Sequence, residues 1–160
     1  MATAEIITIA DALLFELNTG GRWSQTFTAQ RLYLSEDNLD DLGDDLHVTV
    51  QTKGLGRETV TRGKSQMEYA VLVQVQKRLS PNSDDPKALS VQDQCDQYTL
   101  FMQEMADWFD PEGGRPLTQY TGASVIGIAN DPAYDQAGLQ ESVFDSKLVI
   151  GFRTWRAKRR

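Results

Sequence analysis

The stretch SQMEYAVLVQVQKRL, residues 65–79, decides the fold class because apolar and polar side chains alternate through most of it. Its apolar side chains recur at a period of two, which is the spacing of a β-strand with one buried face. The residues on that face are Met67, Tyr69, Val71, Val73 and Val75. Upstream, HVTVQT at residues 47–52 has the valine and threonine content of a second strand. The sequence therefore predicts two neighbouring strands at the centre of the protein.

Between these two strands lies KGLGRETVTRGK, which is too long for a tight turn. It contains three glycines, and its charged side chains sum to +3. We predict a projecting hairpin over residues 52–66 whose positively charged tip is an interaction surface. The predicted contact residues are Lys53, Arg57, Arg62 and Lys64.

The flanking sequence predicts two amphipathic helices, over residues 4–17 and 87–109, and three more strands, over residues 27–34, 124–129 and 147–155. The predicted buried stripe of the first helix is Ile6, Ile9, Ala10, Leu13, Leu14 and Leu17, and that of the second is Val91, Cys95, Tyr98, Phe101, Met102, Met105, Trp108 and Phe109. This order of elements predicts an α+β fold: a single mainly antiparallel β-sheet with two α-helices packed on one face.

Length and composition bound the organisation of the chain. Its 160 residues are 40% hydrophobic and 24% charged, which predicts one globular domain spanning residues 1–160. No apolar run approaches the about 18–20 residues that cross a bilayer, and residues 1–14 lack a basic leader segment. The single cysteine, Cys95, excludes an internal disulfide framework and favours a reducing compartment such as the cytoplasm.

An acidic segment, residues 36–45, raises the possibility of a calcium loop. It holds six acidic residues in ten positions. The EF-hand pattern fails on it, because Leu39 and Leu42 stand where a ligand and a glycine are required. We therefore predict no bound metal and treat the segment as a solvated interaction surface. Its predicted contact residues are Asp37, Asp40, Asp41, Asp44 and Asp45.

Catalytic chemistry finds little support in the sequence. His47 is the only histidine and stands at the head of a strand, while Cys95 falls on the apolar stripe of the second helix. No nucleophile elbow, phosphate-binding loop or dinucleotide fingerprint is present. The sequence favours a non-enzymatic protein without a cofactor.

The basic end, residues 153–160, holds five of the 16 basic residues and none of the 23 acidic ones, in a chain whose net charge is −7. We expect the chain to leave the sheet at the end of the predicted strand, after Trp155, so that most of this cluster lies just beyond the sheet. Either the basic end is a solvated terminus, or it contacts an acidic surface such as phosphate or the acidic segment of another copy; charges of this kind suit a head-to-tail ring. The predicted contact residues are Arg153, Arg156, Lys158, Arg159 and Arg160.

Several segments together resemble the tail-terminator (tail-completion or neck) proteins of long-tailed bacteriophages. They are IADALL near the start, FTAQRLYL, an acidic turn, LHVTVQTKG and SQMEYAVLVQVQKRL. The closing IGIANDPAYDQAGLQESVFDSKLVIGFRTWR, an N-D-P-x-Y … F-x-S-x-L run that ends in Arg-x-x-Arg, is similar too. The resemblance covers nearly the whole chain, but the basic residues beyond Trp155 are not part of the family pattern.

The resemblance implies a structural role in the virion, reached after synthesis in the host cytoplasm. Such proteins form a homo-oligomeric ring, commonly a hexamer, on the last ring of tail-tube protein. The ring stops tube growth and offers a surface to the head-completion or connector protein, and DNA later passes through its lumen without specific binding. An acidic chain suits that passage, because binding to phosphates depends on Lys and Arg.

Two alternatives stay open. One is another neck component, such as a head-closure protein, which would bind the portal side alone. The other is a small non-phage binding module, which would be a monomer with a discrete ligand pocket.

Overall fold

The computed structural model describes residues 2–33, 43–80, 90–113 and 115–157. Five strands form one sheet in the order β1-β2-β3-β5-β4. Every neighbouring pair is antiparallel except β1 and β2, which are parallel. The strands are β1 (Gln30–Arg31), β2 (His47–Thr59), β3 (Lys64–Arg78), β4 (Ser124–Ala129) and β5 (Val143–Ala157), and the helices are α1 (Glu5–Asn18), α2 (Val91–Trp108) and α3 (Gln136–Gln140). The predicted α+β class is confirmed.

One face of the sheet carries the hydrophobic core. The alternation in β3 works as predicted, since all five residues of its apolar face are buried. Most of them pair with an apolar residue of β2 or β5, for example Val73 with Val50 and with Leu148. Helices α1 and α2 contribute Leu13 and Phe101, both fully buried, to the same core. Burying each side chain of this size stabilises the fold by about 1.5–3 kcal/mol.

The predicted strand 27–34 is wrong in extent, because only Gln30 and Arg31 pair with β2 within its described part. The reason is a side chain at the end of α1. Asn18 accepts a hydrogen bond from the backbone N–H of Ala29 at 2.7 Å and donates one to the carbonyl of Ala29 at 3.1 Å. Both backbone groups of Ala29 are thereby used by a side chain and not by a strand.

In the hairpin between β2 and β3, the two strands stay paired almost as far as the turn. Pairing continues from Gly54 with Ala70 to Thr59 with Ser65, after a bulge at Lys53. Most of the segment predicted as an irregular tip is therefore strand, and the turn itself spans only residues 60–63. In the turn, the N–H of Thr61 donates to the carbonyl of Lys64 at 3.2 Å.

Strand β5 is longer than predicted at both ends. Its first residues, Val143–Ser146, lie in what the sequence suggested was a polar connection, and that connection also contains the unpredicted helix α3. Its last residues continue past Trp155 because β3 extends to Lys64, which pairs with Ala157. Arg153 lies within β5 as predicted, but the expectation that the chain leaves the sheet after Trp155 is wrong, because Arg156 and Ala157 still belong to β5.

Helix α2 begins later in the described residues than predicted, and residues 87–89 lie outside them. Ser90 caps it by accepting a hydrogen bond from the N–H of Asp93 at 3.1 Å. Within the predicted stripe Val91, the first residue of the helix, is exposed. On the other side of the helix, Glu104 accepts hydrogen bonds from the backbone N–H and the hydroxyl of Ser24.

Candidate interaction surfaces

The acidic segment is described only at its end. Asp44 and Asp45 are exposed in the turn that leads into β2, whereas Asp37, Asp40 and Asp41 lie outside the described residues. The ammonium of Lys77, at the end of β3, donates a hydrogen bond to the carbonyl of Asp44. This contact fixes the acidic turn at the end of the sheet opposite to the hairpin turn.

The four predicted hairpin cations are all exposed. Lys53 lies at the bulge, Arg57 lies in β2, Arg62 lies in the turn and Lys64 begins β3. None of the four side chains makes an ion pair or a hydrogen bond to another described residue. They are therefore available to a partner.

The basic end differs from the hairpin, because its described cations are already paired. Arg153 donates to Glu68, its cross-strand neighbour on β3, at 3.0 Å. Arg156 donates to Glu5 at the start of α1. Lys158, Arg159 and Arg160 lie outside the described residues. Two of the five predicted contact residues are thus already paired within the chain, and only Arg156 has a largely buried partner.

Glu5 joins three parts of the chain. Besides Arg156, it accepts hydrogen bonds from the hydroxyls of Tyr69 on β3 and Tyr120, each at 3.1 Å. Burial alone would raise the pKa of Glu5, but the hydroxyl of Thr154 together with Arg156 and the two tyrosines outweighs burial and holds the pKa below the ordinary value. The Glu5 carboxylate is therefore built to stay charged inside the fold.

Glu16 plays a similar part at the other end of α1. It is 3% exposed, accepts a hydrogen bond from the N–H of Thr118 at 2.7 Å and pairs with Arg22. Its pKa is also lowered, because these hydrogen bonds outweigh the effect of burial.

The guanidinium groups of Arg22 and Arg115 lie 4.3 Å and 3.8 Å from the ring centroid of Trp108, which is the geometry of cation–π contacts.

Sequence analysis overlooked both glutamates, although a signal was present. Glu5, Ile9, Ala12 and Glu16 recur at helical spacing, so that the two acids lie on the same side of α1 as two buried residues. A charged residue that lies on the buried side of a helix indicates that its side chain has a hydrogen-bond or ion-pair partner.

A third overlooked carboxylate, Asp145, lies on the sheet face opposite to the core. The amide of Gln74 donates to its two oxygens at 3.0 and 3.1 Å, and the amide of Gln76 lies 3.5 Å from one of them. Burial raises the pKa of Asp145, and the amide hydrogen bonds and the charge of Lys147 only partly offset it. The alternation of Phe144, Ser146 and Leu148 on the core face was the sequence signal, because it places Asp145 on the opposite face of the sheet.

The residues considered for catalysis stand apart from one another. His47 begins β2 and is paired with Gln76 across the ladder. Cys95 is half-buried on α2, where burial and the nearby charge of Asp96 raise the pKa of its thiol. In the parts of the chain that the structure describes, no group of three or more His, Cys, Asp and Glu side chains is arranged to hold a metal ion.

A cavity of about 360 Å³ lies between the 26–32 segment and the start of β2. Its lining includes Phe27, Leu32, Leu46, His47 and Thr49. This is the size of a small-molecule site, although sites of that kind are usually more apolar.

Comparisons with known proteins leave the class of the protein open. No family model matches the chain, and no curated protein matches it significantly. Among the described residues, none of the helices has the length and apolar character needed to cross a membrane.

Proposed function

We propose that this chain is a tail terminator of long-tailed bacteriophages, a virion structural protein with no enzymatic activity. It assembles into a homo-oligomeric ring, a hexamer, on the end of the tail tube. The ring stops tube polymerisation and joins the tail to the head-completion or connector protein. DNA passes through its lumen without specific binding.

The observation that carries the proposal is the separation of charge along the sheet. The unpartnered cations of the hairpin lie at one end, and Asp44 and Asp45 lie at the other. A surface at one end of a molecule that complements the opposite end of the next copy generates a ring when the rotation closes. The long hairpin also offers an extended surface for docking on a neighbouring ring of tube protein.

The residues that carry the family resemblance support the proposal because they contact one another. The amide of Asn130, in the N-D-P-x-Y run, donates to the hydroxyl of Ser146 at 3.0 Å and to the carbonyl of Lys147 at 2.7 Å. The hydroxyl of Ser146 in turn donates to the carbonyl of Ala133 at 2.6 Å. The N-D-P-x-Y run and the F-x-S-x-L run are thus joined by hydrogen bonds into one structural unit that positions β5. This contact is a physical reason for the two runs to occur together.

The mass of the protein in solution, with and without tail-tube protein, tests the proposal. We expect a species of about six times the chain mass of 17.9 kDa, or its formation on tube ends when tube protein is added. Light scattering after size-exclusion chromatography measures the first outcome, and electron microscopy of tube ends measures the second. A monomer that ignores tube protein contradicts the proposal.

The same experiment separates the two alternatives. A head-closure protein would bind the portal side and leave tubes uncapped. A binding module would stay monomeric, and the cavity of about 360 Å³ beside β1 is the place where a ligand would be sought.

A further inference from the structure

The sheet has two open edges, one on each side. On one side β1 pairs with β2 only at Thr49 and Val50. On the other side β4 is the last strand of the sheet. Within the part of the chain that the structure describes, the outward backbone groups of residues 52–58 and 124–129 make no hydrogen bond. Each edge therefore presents a row of donors and acceptors with which another strand can pair.

β4 lacks two kinds of residue by which proteins usually prevent pairing at a sheet edge. Its sequence, SVIGIA, contains no charged residue and no proline. Its middle residue Ile126 is an apolar side chain that is 36% exposed. An exposed edge strand without charge or proline is a template for pairing with another chain.

The open edge of β2 has room for an incoming strand. Gly54 and Gly56 lie in it, and a side chain added at either position would meet no atom within 4 Å. Glycine inside a strand often marks a place where another backbone comes close. Lys53 and Arg57 lie on the same stretch, so pairing between two β2 edges would bring like charges together. The β2 edge is therefore better suited to the uncharged β4 edge than to a second copy of itself.

The two edges lie at the same height along the strands. Followed from strand to strand across the sheet, the pairing connects Ser124 of β4 to Gly56 of β2, and Ala129 to Gln51. β4 therefore spans the same height as residues 51–56. Both stretches hold six residues, because each has one extra residue at a bulge. They can consequently pair with each other residue for residue.

The strands at the two edges run in opposite directions. β2 is antiparallel to β3, β3 to β5 and β5 to β4, so β2 and β5 run one way and β3 and β4 run the other. A rotation about an axis along the strands keeps the height and the direction of each strand. It brings β4 of one copy beside β2 of the next as an antiparallel pair, with the core faces of both sheets on the same side.

We infer that β4 of one copy pairs with residues 51–56 of β2 in the next copy, which joins the sheets of neighbouring subunits head to tail. The inference rests on the proposed ring, because it names a contact between its subunits. Backbone pairing fixes the register of this contact, which attraction between the charged ends of the sheet leaves undefined.

Cysteine cross-linking tests the inference. Gly56→Cys and Ser124→Cys are introduced together in a Cys95→Ser background, because these two positions face each other in the inferred pair. Opposite residues of antiparallel strands have Cα atoms about 4.5–5.5 Å apart, within the range of a disulfide. Within one chain the two positions are three strand spacings apart, about 14 Å, and cannot be bridged. Oxidation should therefore join copies into covalent multimers, measured on non-reducing gels and reversed by a reductant.

A matched control moves one of the two cysteines. Gly20→Cys/Gly56→Cys keeps the β2 position and places the other cysteine at an exposed site that follows α1. It should give no series of covalent multimers. Ser124→Cys alone should give none either, because β4 is not expected to pair with β4.

A charge on the β4 edge gives an independent measurement. Ile126→Lys should weaken subunit association about tenfold or more in sedimentation velocity, since lysine on an edge strand opposes pairing. Tyr134→Lys is the control, because Tyr134 is 40% exposed and lies in the loop after β4. It should leave association unchanged. Retained far-ultraviolet circular dichroism in each variant excludes unfolding as the cause of a loss.

The outcomes separate this inference from the proposed function. If the wild-type chain assembles but Gly56→Cys/Ser124→Cys forms no multimers, or Ile126→Lys assembles equally well, the edges are not the contact and the ring stands on other surfaces. Covalent dimers of Ser124→Cys alone would show that β4 pairs with β4 about a two-fold axis, which also overturns the inference. If the wild-type chain stays monomeric even with tube protein, the proposed function and the inference both fail.

Discussion

Arg156, near the end of the last strand, donates a hydrogen bond to Glu5 in the first turn of the first helix, 151 positions earlier. The Glu5 side chain is only 10% exposed, and the two tyrosine hydroxyls complete its surroundings. Both ends of the described chain are thereby joined on the core side of the sheet. The basic end is consequently part of the fold as far as Arg156, and a surface for partners can begin only after it.

Replacing Arg156 should therefore cost stability. Arg156→Met keeps the aliphatic stem but leaves a largely buried carboxylate with neutral donors alone. We expect a loss of about 1–3 kcal/mol in the free energy of unfolding, as for other hydrogen bonds to charged groups. Urea denaturation at pH 7 measures it.

Arg153→Met is the matched control, because it is the same substitution on the same strand. Its partner Glu68 is 45% exposed, so water replaces the lost contact and no measurable change is expected. Equal losses for the two variants would show that burial of Glu5 does not set the strength of its ion pair.

Glu16 should make stability depend on pH. Its pKa in the folded protein lies below the ordinary value of 4.5. The stability it contributes is therefore fully present above pH 4.5 and is lost as the pH falls through the lower folded value. At pH 7, Glu16→Gln should cost about 1–3 kcal/mol, because Arg22 and the N–H of Thr118 lose a charged acceptor.

Urea denaturation of both proteins over the pH range from 7 to 3 checks this sign. The difference between wild type and Glu16→Gln should shrink as the pH falls below 4.5. Glu112→Gln, which changes an exposed carboxylate, controls for net charge. A difference that is constant with pH would mean that the charge of Glu16 adds nothing.

The sequence predicted those parts of the fold whose side chains repeat with one period. β3 and α1 were predicted because their buried residues recur at regular spacing. β4 was predicted because its six residues, Ser124–Ala129, form one uninterrupted and mostly apolar run. The strand at residues 27–34 was overestimated because a side chain, Asn18, takes the backbone groups of Ala29, and no local pattern reveals such a competition. The length of β5 was underestimated because it depends on its partner β3, which pairs with it from Val143 to Ala157, and no pattern within β5 itself reveals this pairing.

The candidate surfaces were predictable only as far as charge alone defines them. Exposed cations such as Arg62 follow from composition and position in a hairpin. The contacts of Asp145 with Gln74 and Gln76 were not predictable, because these residues lie 71 and 69 positions apart and meet only when β3 and β5 pair. Likewise, only the three-dimensional pairing shows that Arg153 and Arg156 are occupied.

The core of α2 should not tolerate a charge. Phe101 is fully buried, with its ring centroid 5.1 Å from that of Phe27 and 6.2 Å from that of Trp23. Phe101→Asp should prevent folding, because it removes this packing and buries an unpaired carboxylate. The neighbouring Leu100→Asp is the control, since Leu100 is 55% exposed and should fold normally.

Circular dichroism and the yield of soluble protein measure both variants, and an unfolded Leu100→Asp would contradict the assigned helix face.

Cys95→Ser should fold and function, because the thiol is half-buried and has a raised pKa. Loss of function in a folded Cys95→Ser protein would assign the thiol a chemical role.

The hairpin cations should matter for capping and not for stability. Arg57→Gln, Arg62→Gln and Lys64→Gln change exposed side chains without partners among the described residues, so the unfolding midpoint should stay the same. In a phage complementation assay the triple variant should give tails of uneven length, measured by electron microscopy. Glu58→Gln, in the same strand with the opposite charge, is the control, and tails of normal length from the triple variant would remove the hairpin from the mechanism.

The last three residues, Lys158–Arg160, should tune assembly without holding the fold. A truncation must stop after Ala157, since Arg156 is bound to Glu5 and its removal would destabilise the protein. Exposed ion pairs contribute only about 0.2–1 kcal/mol each, and salt screens them over about 8 Å at physiological ionic strength. We expect deletion of residues 158–160 to weaken ring formation or tube binding at low salt. The difference should fade near 0.5 M salt, where the screening length is about 4 Å.

Sedimentation of both forms across a salt series measures the effect, with Asp93→Asn as a control for net charge. Identical assembly at every salt concentration would show that these residues are a solvated terminus and that other contacts carry the ring.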